Sequence, residues 1–394
     1  MDFQFSDRVS TLKGSAIREI FKYAADPQVI SLAGGNPAPE TFPNKELSDI
    51  AKELLAENPV LSLQYGITEG YAPLRQQVKD RLKAKENIDT ENNDVIIVSG
   101  GQQAIDLTTK IFVNEGDTVI VEEPSFIGAL NCFRSYKANL AGVPMDENGM
   151  DIAALEETIK NSKNPKIIYT IPTFQNPSGI TMTQERRKEL YEVARKYDLI
   201  IIEDNPYGEL SFNGEHHATI KSIDTDGRVV YCGSFSKILA PGLRVGFMCA
   251  APAITAKAAV AKQTSDVHTT MLPQLLASEY MKRYNIDEAI EKSRALYKEK
   301  CETMLKAIDE YFPEGVTRTN PTGGLFVWVT LPEKYDALEI SKICAANKVV
   351  YVPGNTFMVD MDKKCSALRL NYSTMSNEKI IEGVKLLGEV FSKL

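Results

Sequence analysis

Two stretches decide the fold, LIIIEDNPY (199–207) and RVVYCGSFSKILAPGLRVGFMC (228–249). Each opens on a short run of apolar, mostly β-branched residues and then breaks into polar or glycine-bearing residues. Runs that are apolar at every position mark strands buried on both faces. The pattern extends from Asp94 to Ala250, with strands expected at 95–99, 118–122, 138–143, 166–171, 199–203, 228–232 and 245–249. Amphipathic helices are expected between them at 104–113, 152–160 and 184–197, the last capped by Thr181 or Thr183. Apolar strands alternating with helices of a dozen residues specify an α/β domain with a mostly parallel central sheet.

Downstream the texture changes. A helical region is expected over 252–311, broken near Pro273 and again around 285–287. Strands at 324–331, 349–352 and 367–372, with helices at 337–347 and 378–393, then make a smaller α+β domain. Upstream, a polar arm turns into SLAGGNPAPETFP (31–43), a loop dense in Gly and Pro. The division read from these shifts is an arm and loop over 1–43, a large domain over 44–285 and a small domain over 286–394.

Composition narrows the function. The 394 residues are 43% hydrophobic and 25% charged, ordinary globular usage, with a net charge of −8. That charge argues against a nucleic-acid surface. The longest apolar runs, 95–98 and 199–202, fall far short of a membrane span, and MDFQFSDRVS (1–10) lacks the apolar core of a secretory signal. A cytoplasmic protein without membrane partners is expected. Six cysteines stand with no pair at CxxC spacing, so neither zinc nor a redox dithiol is suggested. Only three histidines occur, and Glu215-His216-His217 lies in a loop-like stretch, so no metal is expected. Chemistry must fall to lysine, tyrosine and carboxylates.

In an open α/β sheet, loops at the carboxyl edge converge on a crevice. Strand 95–99 runs into Gly100-Gly101-Gln102 at a helix start, where backbone N–H groups approach anions. Strand 199–203 ends in Asp204, costly to bury unless it meets a cation. Strand 228–232 ends in Ser234, Ser236 and Lys237, with Arg244 at the head of the next strand. Taken together the ends fit pyridoxal 5'-phosphate, which needs a lysine, a carboxylate for its ring nitrogen and donors for its phosphate. Phe126, Tyr207 and Asn176 offer an aromatic cover and groups for its ring oxygen.

At this point the chain resembles the fold-type-I pyridoxal-phosphate aminotransferases of class I/II. The resemblance is carried by LQYGITEGYAPLR (63–75), SGGQQAIDL (99–107), EEPSFIGAL (122–130), QNPSG (175–179), EDNPY (203–207), SFSKILAPGLRVGF (234–247) and LRLNYS (368–373). SAIREIF (15–21) and the 31–43 loop look most like the 2-aminoadipate, kynurenine and aromatic branch. The resemblance implies catalytic roles for Lys237, Asp204 and Tyr207, with Lys237 holding the cofactor's aldehyde. It implies cofactor contacts from Gly101, Gln102, Phe126, Asn176, Ser234, Ser236 and Arg244, and from Tyr65 across a homodimer interface. Arg369 would clamp the substrate carboxylate, with Asn176, Gly35, Ile17 and Arg18 also facing substrate. The implied reaction moves an amino group from an aromatic, 2-aminoadipate-like or aliphatic L-amino acid to a 2-oxo acid, 2-oxoglutarate. The alternatives are a β-lyase or decarboxylase on the same fold and, from another class, a non-catalytic regulatory domain.

Overall fold

The computed structural model describes residues 3–10 and 26–394. The chain enters at β1 (Ile30–Ser31) and then builds its large sheet from β2 (Asp94–Val98), β3 (Thr118–Glu123), β4 (Asn139–Asp146), β5 (Gly149–Met150), β6 (Pro165–Thr170), β7 (Ile200–Asp204), β8 (Val229–Ser234) and β9 (Gly246–Ala250). The strand order is β2-β9-β8-β7-β6-β3-β4-β5. The pairs from β4 through β3, β6 and β7 to β8 are parallel. β9 instead runs antiparallel to both of its neighbours. The chain therefore enters β9 at the same edge where β2, β8, β7 and β6 end. That reversal brings Arg244 to the crevice.

Alternate strand residues enter apolar clusters on opposite faces, which is why the strands read as continuously apolar. Ile96 and Val98 pack with Ala104 and Ile105, whereas Val95 and Ile97 pack with Leu74, Val78 and Leu275. Ile167 and Tyr169 likewise share the first face, while Ile168 and Ile201 meet Leu155 and Leu190 on the other. Thr183, not Thr181, caps the helix Gln184–Lys196, its side chain accepting from the Arg186 N–H at 3.3 Å.

A second sheet, antiparallel, comprises β10 (Thr317–Arg318), β11 (Phe326–Thr330), β13 (Val352–Pro353) and β14 (Ala367–Asn371) in the order β10-β11-β14-β13. The intervening β12 (Val349–Val350) pairs with β1 in parallel. The helices Ile286–Tyr311, Ala337–Ala346 and Asn377–Phe391 pack on this region through Tyr297, Met304, Ile340, Val384 and Leu387. One apolar cluster runs from Ile202 in the large sheet to Val327 and Leu370 in the second.

The helical region breaks close to the first expected position, at 264–270. The interruption lies before the helix Met271–Arg283, and Pro273 sits inside that helix's first turn. A proline there loses nothing, because its missing N–H would have had no acceptor. The second break holds: Asn285 accepts from the Asp287 N–H at 3.1 Å and starts a new helix. Among the described residues no helix is long and apolar enough to cross a membrane.

Candidate active site

The carboxyl edge of the large sheet and β14 enclose a cleft of about 500 Å³. Its walls carry Gly35, Gly101, Gln102, Phe126, Asn176, Asp204, Tyr207, Ser234, Ser236, Lys237, Arg244 and Arg369. Residues separated by more than 300 positions thus meet because one strand of each sheet ends or passes here. Register fixes the floor: Val98 and Ser234 both pair with Gly246, so the turns leaving β2 and β8 lie on either side of the chain entering β9.

One side of the cleft is built on a helix start. Gly101 and Gln102 open the helix Gly101–Phe112, where amide N–H groups have no acceptor within the helix. Gly100 stands at φ +79°, and a Cβ there would lie 2.5 Å from Arg244 Nη2. Arg244 in turn donates from Nη2 to the Ser99 carbonyl at 3.3 Å. The Ser236 N–H donates to Ser234 Oγ at 3.1 Å, which closes a tight turn before Lys237. The Gln102 side chain donates across the cleft edge to the Gly128 carbonyl at 3.0 Å.

The ionisable groups are far from their ordinary values. Burial, with Arg369 and Arg244 adding like charge, pushes Lys237 down to about 8. Its Nζ donates to the Gly35 carbonyl at 2.6 Å. Burial raises Asp204 to about 7, against a hydrogen bond from Tyr169 that favours the carboxylate. Tyr169 Oη donates to Asp204 Oδ2 at 2.8 Å. Among the described residues no cation meets Asp204; a phenol holds the carboxyl instead. Burial pushes Arg369 down to about 10. Its Nη1 donates to Asn176 Oδ1 and its Nη2 to the Ala33 carbonyl, both at 2.8 Å. The guanidinium lies 4.3 Å from the Phe326 ring centre and 5.0 Å from that of Phe357, while its Nε has no partner among the described residues.

The profile of class I and II aminotransferases matches residues 27–387. The chain belongs to the class I and II aminotransferases. It is 44% identical over 393 residues to the aromatic-amino-acid aminotransferase 1 of Thermococcus litoralis, covering 99% of this chain and 94% of that protein. The multiple substrate aminotransferase of Thermococcus profundus superposes with a TM-score of 0.94 at 43% identity, over 99% of this chain and 97% of that one. The α-aminoadipate aminotransferase LysN of Thermus thermophilus, complexed with N-(5'-phosphopyridoxyl)-L-leucine, gives a TM-score of 0.91 at 38% identity, covering 99% and 97% of the two chains. This aminotransferase is an enzyme of fold type I that uses pyridoxal phosphate.

The aminotransferase cleft fits that cofactor by its donor set. It offers a primary amine of lowered basicity, a buried carboxyl, two serine hydroxyls, a helix start and an arginine pressed on a glycine turn. Asp204 Oδ1 would lie 3.8 Å from a Cβ placed on Gly101, so the carboxyl and the helix start flank one space. Tyr207 and Asn176 are 3.5 Å apart, Nδ2 to Oη.

Tyr65 stands outside this cleft. It is 82% exposed and meets the His268 ring edge-on at 5.7 Å, in a separate groove with Ser62 and Met271. Ile17 and Arg18 lie outside the described residues. His216 pairs with Glu86 at 3.0 Å, and among the described residues no group of three or more ligand types is arranged for a metal.

Sequence reasoning missed two supports of this aminotransferase site. Tyr169 is one; its signal was a lone phenol in an aliphatic strand, KIIYTI (166–171), beside the strand that ends in Asp204. Glu122 is the other. Fully buried and raised by that burial, it accepts from Thr170 Oγ1, from the Ile171 N–H at 3.2 Å and from Gln175 Nε2 at 3.1 Å. It thereby anchors the loop that carries Asn176.

Proposed function

We propose that the enzyme takes its amino group from an aromatic, 2-aminoadipate-like or aliphatic L-amino acid and passes it to 2-oxoglutarate. The observation that carries this reading is the convergence of Lys237 and Arg369 on one cleft. An amine that titrates near neutrality can take up and return a proton, and a buried guanidinium can fix a carboxylate beside it. The names of the relatives support the donor class.

Pyridoxal phosphate, when bound, supplies an aldehyde carbon for the amino group and a ring that accepts the electron pair left on Cα. The chain's own residues do the rest. Lys237 would hold the aldehyde and, once displaced by the substrate amine, carry the Cα proton on Nζ. With its pKa lowered to about 8, part of the population is free amine at neutral pH. Asp204, oriented by Tyr169, would keep the ring nitrogen protonated. Tyr207 and Asn176 would hydrogen-bond the ring oxygen, and Phe126 would stack on the ring. Gly101, Gln102, Ser234, Ser236 and Arg244 would bind the phosphate. Arg369 would clamp the α-carboxylate, with Gly35 and Asn176 alongside; its Nε, without a partner among the described residues, supports that role. Ile17 and Arg18 are proposed to face the substrate side chain.

The same reading makes the enzyme a cytoplasmic homodimer in which Tyr65 completes the partner's site. Its support is an exposed apolar patch around Tyr65 that includes Val60 at 73%, Leu63 at 72% and Ile67 at 56% exposure. All six cysteines are free thiols, in keeping with a reducing compartment. The division at residues 43 and 285 is kept as part of this reading, the large sheet falling within 94–250 and the second within 317–371.

A matrix of amino donors against 2-oxo acceptors, with both products identified, tests the reaction. Glutamate and the donor's oxo acid, with parallel double-reciprocal lines, are expected. Pyruvate with ammonia, or an amine, as the main product would replace transamination by β-elimination or decarboxylation.

A further inference from the structure

Behind the glycine turn lies an ion pair that the proposed chemistry does not use. Lys262, in the helix Pro252–Gln263, has a fully buried side chain. Its Nζ donates to both carboxylate oxygens of Asp266 and to Gln103 Oε1, all at 2.8 Å. An ammonium has three protons, and all three are used.

The acceptors pass the constraint forward. Gln103 Oε1 also accepts the Ser99 N–H at 2.8 Å. Asp266 Oδ2 accepts Ser99 Oγ at 3.0 Å and Gln103 Nε2 at 2.8 Å. The Ser99 carbonyl accepts from Arg244 Nη2. Ser99 is therefore held through its amide, its hydroxyl and its carbonyl. It is the residue immediately before Gly100 and Gly101, and Gly100 packs directly on the Arg244 guanidinium.

With the Lys262 ammonium fully buried, the desolvation cost offsets much of its attraction to the partly exposed Asp266, so the contribution of the pair is better understood as fixing geometry. Here the geometry fixed is that of a backbone turn rich in glycine, which would otherwise sample many conformations. We propose that Lys262 is a positioning residue for cofactor retention: through Gln103 and Asp266 it locks Ser99, and with it the Gly100–Gly101 turn and Arg244, where the phosphate binds. The inference rests on the reading of that turn as the phosphate site.

The test titrates cofactor-free wild-type and variant protein with pyridoxal 5'-phosphate and with pyridoxal, which lacks the phosphate, following absorbance. Lys262→Gln should weaken pyridoxal 5'-phosphate binding about tenfold while pyridoxal binding stays within about twofold of wild type. Equal losses for both compounds, or no loss for either, overturn the proposal, because a general structural role does not distinguish them. Should Lys262→Gln fail to fold, Ser99→Ala decides the matter, since it deletes one hydroxyl only. It should cost about threefold, again for the phosphate-bearing compound alone, and a loss that ignores the phosphate refutes the idea. Arg244→Gln separates the two layers. If it too lacks a phosphate-selective loss, the reading of the cradle fails; if it shows one while Lys262→Gln does not, only the positioning role falls.

Discussion

The lowered basicity of Lys237 can be measured without cofactor. Its amine sits near 8, against an ordinary 10.5, because burial and the neighbouring charges of Arg369 and Arg244 penalise the ammonium. That gap corresponds to roughly 3 kcal/mol against the charged form. At pH 7 about one Lys237 in eleven is then free amine, compared with about one in three thousand for an ordinary surface lysine. Trace acetylation of cofactor-free protein with acetic anhydride, read peptide by peptide by mass spectrometry, gives the labelling midpoint of each lysine. The Lys237 midpoint should lie near pH 8, with exposed lysines such as Lys45 well above it. Arg369→Gln should move the Lys237 midpoint upward, since it removes a like charge. A Lys237 midpoint coincident with those of the surface lysines would refute the reasoning. The linkage has a definite sign. Unfolded protein holds the Lys237 proton up to 10.5 and folded protein only up to about 8, so this group destabilises the cofactor-free fold fully below pH 8. That penalty fades between those two values.

Three further outcomes follow from the same geometry. Lys237→Ala should lose turnover yet still bind pyridoxal phosphate non-covalently, and borohydride should fix wild-type cofactor to the peptide spanning Ser234 and Lys237; label on any other lysine would defeat the assignment. Asp204→Asn should abolish turnover. Folded Asp204 keeps its proton up to about 7 and the unfolded carboxyl only up to 3.8, so cofactor-free wild type loses stability as pH rises between them. The variant should flatten that part of the melting profile, and an unchanged profile would contradict the buried titration. Tyr169→Phe should lower kcat/KM about tenfold and cost about 1–3 kcal/mol of stability, because Asp204 Oδ2 loses its partner; an unaltered kcat/KM would leave Tyr169 a packing residue.

The sequence made the strands legible because burial on both faces leaves them apolar at every position, as at Val95–Val98. It made the strand ends legible because Asp204 and Lys237 interrupt such runs with costly or reactive groups. It did not disclose that β9 is reversed, since apolar content carries no direction; that reversal is what turns Arg244 inward. The helix Ala72–Glu86 escaped notice because its buried stripe of Leu74, Val78 and Leu82 is one residue wide. Tyr169 and Glu122 escaped for another reason: their partners lie 35 to 53 residues away, and spacing along one chain does not encode such pairings. Lys262 has Asp266 four residues on, but its link to Gln103 spans 159.

The cleft also shapes how fast ligands arrive. Among the described residues, Lys237, Arg244 and Arg369 line it together with a single acid, Asp204, although the whole chain carries a net charge of −8. Oxo acids, amino-acid carboxylates and a phosphate ester are all anions. They are repelled by the molecule as a whole and drawn in by its mouth. Because apolar walls such as Phe326 surround the buried Arg369 guanidinium, the local field there is focused rather than dispersed. Mobile ions screen the distant repulsion first and the enclosed attraction least. Moderate salt should therefore leave anion capture largely intact, an unusual tolerance for a site that recognises its ligands by charge.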